Sequence, residues 1–168
     1  MQLSRVSNVL PLAAVAAASA ASTAAGPDGW TDGQLSSTFS VNVTFDKKYD
    51  DPERELSKAA CWREGQGLIP GWAPDWRKQK DVPARILAID KISNSRSTEC
   101  ISCWMLQYGD TARPFLAIDH ADAGYVLSRE GMDSLTGGKA EKLGTVTANA
   151  TQMTLGNCGF SYTGREEL

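Results

Sequence analysis

Leu116-Ala117-Ile118-Asp119-His120-Ala121-Asp122-Ala123-Gly124-Tyr125 begins as an apolar run and then sets the only histidine of the chain between two carboxylates. A short apolar run bounded by polar and turn residues is the pattern of a buried strand. Upstream, Cys103 to Tyr108 is a second strand-like run. Gly109-Asp110 lies between it and Phe115 to Asp119, so the spacing predicts a hairpin that delivers Asp119 to the end of its second strand. A carboxylate at that point is partly withdrawn from water, and its hydrogen bonds are tuned by its neighbours. The strand that decides the fold thus also presents the leading functional residue.

Working outward, strand patterns dominate. Val41-Asn42-Val43-Thr44-Phe45 alternates as a half-buried strand should, and Asp46 closes it. Arg85 to Asp90 is another short apolar run, and Leu143 to Met153 alternates Val146, Ala148 and Ala150 against Thr145, Thr147, Asn149 and Thr151. One good helix pattern stands out. It runs from Ser128, placed as an N-cap, to Thr136, with Met132 and Leu135 on one face, Gly137-Gly138 as the stop, and Gly131 as a weak point. Many strands and little helix place the chain in the mainly β class, and a small closed barrel fits better than a sandwich, although periodicity alone does not choose.

The first 25 residues carry Arg5, an apolar run from Val9 to Ala18 and then small residues through Ala25, which is the layout of a secretory signal peptide. The apolar run is shorter than the roughly 20 residues a membrane-spanning helix requires. Residues 26–40, rich in Gly, Ser, Thr and Asp, read as a flexible lead-in to one domain over 41–160, with 161–168 as a tail. Without Arg5 the formal net charge moves from -3 to -4. That balance argues against nucleic acid or an anionic membrane as partner, since both draw on Lys and Arg. The last four residues, Arg165-Glu166-Glu167-Leu168, approach an ER-retention signal but depart from its standard forms, so the expected location is extracellular or in the cell wall.

Cys61, Cys100, Cys103 and Cys158 are even in number, which in a secreted chain points to two disulfides while leaving three pairings open. A zinc site would need all four cysteines at irregular spacing, so neither metal nor cofactor is expected. Asn42-Val43-Thr44 and Asn149-Ala150-Thr151 are glycosylation sequons, both in predicted strands.

Taken in order, Val41 to Asp46, Tyr49-Asp50, Cys100-x-x-Cys103-Trp104, Ala117 to Gly124, Asp133 to Gly138, Ala148-x-Ala150-Thr151-Gln152 and Cys158-Gly159 resemble the cerato-platanin family. The resemblance implies a secreted fungal protein with a six-stranded double-psi β-barrel, one or two short helices and the pairings Cys61 with Cys100 and Cys103 with Cys158. It also implies a non-hydrolytic, expansin-like protein that binds chitin or N-acetylglucosamine oligomers, or another wall polysaccharide. Elicitor or phytotoxin activity through a host receptor belongs to the same expectation. The chain is expected to be a monomer, with self-assembly as the alternative.

Asp119 matches the aspartate shared with expansins, and Asp46, Asp122 and Asn94 are carried over beside it as polysaccharide-binding residues. The chain departs from the family pattern over 62–80, where Trp62 is added beside Cys61, and over 91–99, ahead of Cys100.

Residue chemistry gives Asp119 two readings. A carboxylate near a barrel rim accepts strong hydrogen bonds from sugar hydroxyls, or it braces the turn that follows. Neighbours in an extended segment point apart, so His120 is not expected to form a dyad with it. Trp72 and Trp76, separated by Pro74, fall in an irregular loop and offer flat faces to sugar rings, whereas Trp104 reads as core. Hydrolysis would need a second carboxylate about 6.5 to 9.5 Å away in an inverting enzyme, and no clear partner stands out. A weak glycoside hydrolase using Asp119 and a surface-active, self-assembling wall protein are the alternatives to simple binding.

Overall fold

The computed structural model describes residues 34–68 and 76–160. The signal-peptide layout, Trp72 and the C-terminal tetrapeptide lie outside them. Six strands form a closed barrel in the order β1-β5-β2-β4-β3-β6. They are β1 (Phe39–Phe45), β2 (Ile86–Ile89), β3 (Ser102–Tyr108), β4 (Thr111–His120), β5 (Tyr125–Leu127) and β6 (Val146–Met153). β1 with β5 and β2 with β4 run parallel, and the remaining four pairings are antiparallel. The expected six-stranded barrel is therefore present.

The predicted hairpin is β3–β4, with Tyr108 opposite Thr111 across Gly109-Asp110. β4 is longer than its apolar run because Thr111 to Pro114 extend the ladder with side chains that are only partly buried or exposed. β5 escapes sequence reading for a simple reason. Three residues show no period, and Tyr125 and Leu127 are buried because the strand is flanked by β1 and β2 on its two edges. Gly124, just before it, has φ +61°, and a Cβ there would lie 2.5 Å from the Asn42 carbonyl oxygen, so only glycine fits.

At the N-terminal side β1 begins at Phe39, ahead of the expected Val41, and Leu35 N–H donates to Gln152 O at 2.8 Å. The end of the expected lead-in is thus part of the ladder. At the other side, Ala140–Leu143 forms a short helix, α2, and β6 starts only at Val146.

Helix α1 (Arg129–Thr136) is capped as its sequence predicts. Gly131 N–H donates to Ser128 Oγ at 2.8 Å, and Gly137 ends the helix at φ 67°. The Asp50 carboxylate, from a distant turn, accepts from the N–H groups of Arg129 and Glu130 at 2.8 and 2.9 Å. Gly131 is explained by packing, since a Cβ would meet the Phe115 ring at 3.1 Å.

The core is centred on Trp104, whose ring stands edge-on to Tyr125 at 5.5 Å and to Phe39 at 5.8 Å. Leu87, Leu106, Phe115, Leu116, Ile118 and Leu127 are likewise fully buried. Among the described residues between β1 and β2 there is no strand, and the regular elements are short 3-10 turns at Lys47–Asp50, Leu56–Lys58 and Gln79–Asp81. This segment lies as a strap along β4, with Cys61 N–H donating to Ile118 O at 3.1 Å, and contributes Leu56, Leu68 and Val82 to the core.

Both disulfides join as the resemblance implies, Cys61 to Cys100 and Cys103 to Cys158. They close loops of 39 and 55 residues, which corresponds to about 4 kcal/mol each by loop-closure entropy. The CxxC sends its two sulfurs to different partners. Between them Ile101 adopts φ 62°, a conformation that a β-branched residue rarely takes.

Candidate functional site

Asp119 ends the buried part of β4, and its residue is only 6% exposed. Its two oxygens accept four protein donors. Oδ1 takes the Ala60 N–H at 2.7 Å and the His120 N–H at 2.9 Å. Oδ2 takes the Tyr49 hydroxyl and Arg54 Nη2, both at 3.0 Å. A carboxylate offers about four lone-pair sites, so its acceptor capacity is filled from within the chain. A sugar hydroxyl reaches it only by displacing one of these donors.

The donors are themselves held in place. Arg54 also reaches Gln79 Oε1 at 3.2 Å and the Lys58 carbonyl at 3.3 Å, and its guanidinium lies 5.3 Å from the centre of the Tyr49 ring. Gln79, buried, donates to the carbonyls of Lys48 and Asp51 at 3.1 and 2.6 Å. Burial first, then the charge and hydrogen bond of Asp119, push the Tyr49 phenol well above the ordinary tyrosine range, so it remains a donor at any physiological pH. Among the described residues no second carboxylate joins this network by hydrogen bond.

The other predicted residues do not converge on Asp119. Asp46 caps the turn after β1, accepting from Lys48 N–H at 2.9 Å and pairing with Lys48 Nζ at 3.2 Å. Partial burial raises its pKa, but the Lys48 N–H and ammonium, with Arg54 behind them, outweigh this and hold Asp46 below the usual carboxylate range. Asp122 is exposed, 3.6 Å from His120 Nε2. The other ring nitrogen of His120 donates to the Ile92 carbonyl, and because a carbonyl only accepts, Nδ1 carries the proton. Asp119 therefore holds the histidine backbone and not its ring. Asn94 is exposed in the loop after Ile92, where Oδ1 accepts from Arg96 N–H at 2.8 Å. Trp76 is half-buried against Phe160 at 5.8 Å between ring centres.

The barrel end where β4 stops carries instead a cleft that sequence reasoning did not single out. Trp62, Arg63, Glu64, Gln66, Ser95 and Arg96 enclose about 470 Å³. Arg63 Nε donates to the Ser95 carbonyl at 2.9 Å, and the Arg77 guanidinium lies 5.6 Å from the Trp62 ring centre. The turn bearing Trp62 hangs from three ties: Ala60 N–H on Asp119, Cys61 N–H on Ile118 and the Cys61–Cys100 bridge. Its walls come from 62–80 and 91–99, the two stretches in which the chain departs from the family pattern. A tryptophan set beside a bridging cysteine and followed by polar residues was the available signal. The cleft presents one aromatic ring with cationic, anionic and amide groups around it, the division of labour of a sugar site.

A second cavity, about 510 Å³, lies between the strap and α1 and is lined by Tyr49, Asp50, Lys80, Pro83, Arg85 and Glu130 among others. Its Asp50 is already spent on the start of α1, and its Lys80 pairs with Glu53. Among the described residues no group of three or more His, Cys, Asp or Glu is placed to hold a metal ion.

The family pattern described as Cerato-platanin matches residues 41–160. The chain is 30% identical over 129 residues to the allergen Asp f 15 of Aspergillus fumigatus, covering 76% of this chain and 82% of the allergen. It is 28% identical over 128 residues to the heat-stable 19 kDa antigen of Coccidioides posadasii, covering 75% of this chain and 84% of the antigen. The crystal structure of cerato-platanin 2 from M. perniciosa superposes with a TM-score of 0.64 at 28% identity, covering 73% of this chain and all of that one.

Proposed function

This chain belongs to the cerato-platanin family, and on that premise we propose that it is a secreted, non-hydrolytic protein that binds oligomers of N-acetylglucosamine in wall polysaccharide. The Trp62 cleft takes the sugar, with Asn94 and Asp122 on neighbouring loops, and Asp119 acts beneath it as a positioning residue. The observation that carries this reading is the tie from Asp119 to Ala60, which fixes the turn presenting Trp62 at the rim. The four donors on Asp119 favour binding over hydrolysis, because they leave it no free lone pair for a sugar or a water. Two relatives carry the names of an antigen and an allergen, which supports exposure of this protein to a host and an elicitor-like role.

The test is a titration of the full chain with chitin and cellulose oligomers, followed by amide chemical shifts. Saturable shifts at Trp62, Ser95 and Arg96 are expected with the chitin series. Shifts confined to the Tyr49–Lys80 cavity would move the site, and release of new reducing ends, lost in Asp119→Asn, would replace binding by hydrolysis.

A further inference from the structure

The two sequons meet on one surface. Asn42 on β1 lies opposite Thr147 on β6, and Ser40 lies opposite Asn149, so both asparagines belong to the same exposed outer strip of the barrel. The Thr147 hydroxyl donates to Asn42 Oδ1 at 3.3 Å, and the Ser40 hydroxyl donates to Asn149 Oδ1 at 3.4 Å. Each contact uses the amide oxygen. Neither contact uses the nitrogen that would carry a glycan, and both asparagines are exposed.

The sequon threonines behave differently. Thr44 Oγ1 donates to the Gly144 carbonyl at 3.1 Å, and the buried Thr151 hydroxyl is 2.6 Å from that of Thr38. A transferase must bind the threonine hydroxyl together with the asparagine, so neither sequon is readable once its strand has joined the barrel. The order of synthesis therefore decides which is used. β1 pairs only with β5 and β6, which begin at Tyr125 and Val146, so Asn42 stays unpaired while all the intervening chain is made. At about 5–20 residues per second that interval lasts several seconds. Asn149 has no such interval, because both partners of β6, β1 and β3, have been synthesised before it.

We propose that Asn42 is an N-glycosylation site and that Asn149 is left largely unmodified, because strand order holds the first sequon open and closes the second. The inference rests on the secretory route of the reading above. In the transfer, Asn42 Nδ2 attacks the anomeric carbon of a polyprenyl-diphosphate-linked oligosaccharide. A C–N bond forms, the anomeric C–O bond breaks, the polyprenyl diphosphate leaves with the electron pair, and the amide gives up one proton. The glycan projects from the outer strip, and Asn42 Oδ1 keeps its bond from Thr147.

The full chain is expressed in a yeast host behind an added, established secretory leader, so that entry into the lumen does not depend on residues 1–25. Peptide mass spectrometry after enzymatic deglycosylation in heavy-oxygen water then reads labelled aspartate at each position. Occupancy at position 42 exceeding that at 149 several-fold is expected, and Asn42→Gln should abolish most of the mass shift. An unmodified Asn42, or occupancy at 149 equal to or above that at 42, overturns the proposal. A parallel culture with the chain's own N-terminus reads secretion separately, so failure of the secretory reading is distinguishable from failure of the site.

Discussion

The barrel wall and the strap over β4 are built on opposite terms. In the wall, β1, β3, β4 and β6 share long ladders and enclose apolar side chains, so every added contact repeats the same kind of stabilisation. Among its described residues the strap from Asp46 to Asp81 has only isolated bridges, Glu55 with Lys78 and Arg63 with Gly67. It is held by three donors to one buried carboxylate, one disulfide and a few apolar anchors. Redundancy makes the wall hard to break at any single point, whereas the strap concentrates its attachment in Asp119 and Cys61.

That contrast can be broken at either side. Trp104→Ala removes the centre of the wall and should lower global stability by about 4–5 kcal/mol, read as a shift of the whole denaturation midpoint with every amide exchanging faster. Asp119→Ala leaves Arg54 buried without its counter-ion and should lower stability by about 3–4 kcal/mol. Here the exchange should accelerate in 54–68 while the β3–β6 amides stay slow. Equal acceleration in both regions would show that strap and wall form one cooperative unit. Tyr49→Phe deletes one donor to a charged acceptor and keeps the ring, for a loss of about 1.5–3 kcal/mol at most confined to the same segment.

The smallest effect concerns pH. Asp46 has a folded pKa below the ordinary 3.8, so the stability it contributes is fully present above that value and is lost as pH falls through the lowered folded value. Its pair with Lys48 is largely exposed, so solvent screening keeps the effect to a few tenths of a kcal/mol. Asp46→Asn should flatten the acid limb of stability slightly and leave the value at neutral pH almost unchanged. A steeper acid limb in the variant would refute the sign.

The wall was also the legible region. Alternation at Val41–Phe45 and Leu143–Met153 and the turn at Gly109-Asp110 are local patterns; the first lies within β1, the turn closes the hairpin, and the second became β6 only from Val146, with Leu143 taken into α2. β5 was not legible, since three residues carry no period and the burial of Tyr125 and Leu127 comes from neighbours on both edges. Asp119 stood out by its position after an apolar run, but its partners did not. Tyr49, Arg54 and Ala60 lie 70, 65 and 59 residues away, and their aim at one carboxylate is fixed by the course of the strap. The same holds for the Trp62 cleft, whose far wall, Ser95 and Arg96, is tied to the Trp62 turn by the Cys61–Cys100 bridge and the Arg63–Ser95 bond. Long-range polar geometry leaves no period in a sequence.

The closure of β6 onto β1 leaves the six-stranded sheet without a free edge. Endoproteases grip their substrates as extended strands and pair with an unpaired backbone edge, which this wall does not offer. Digestion of the folded protein should therefore begin in the strap, and a cut between Cys61 and Asp81 should leave two fragments joined through the Cys61–Cys100 bridge until a reductant is added.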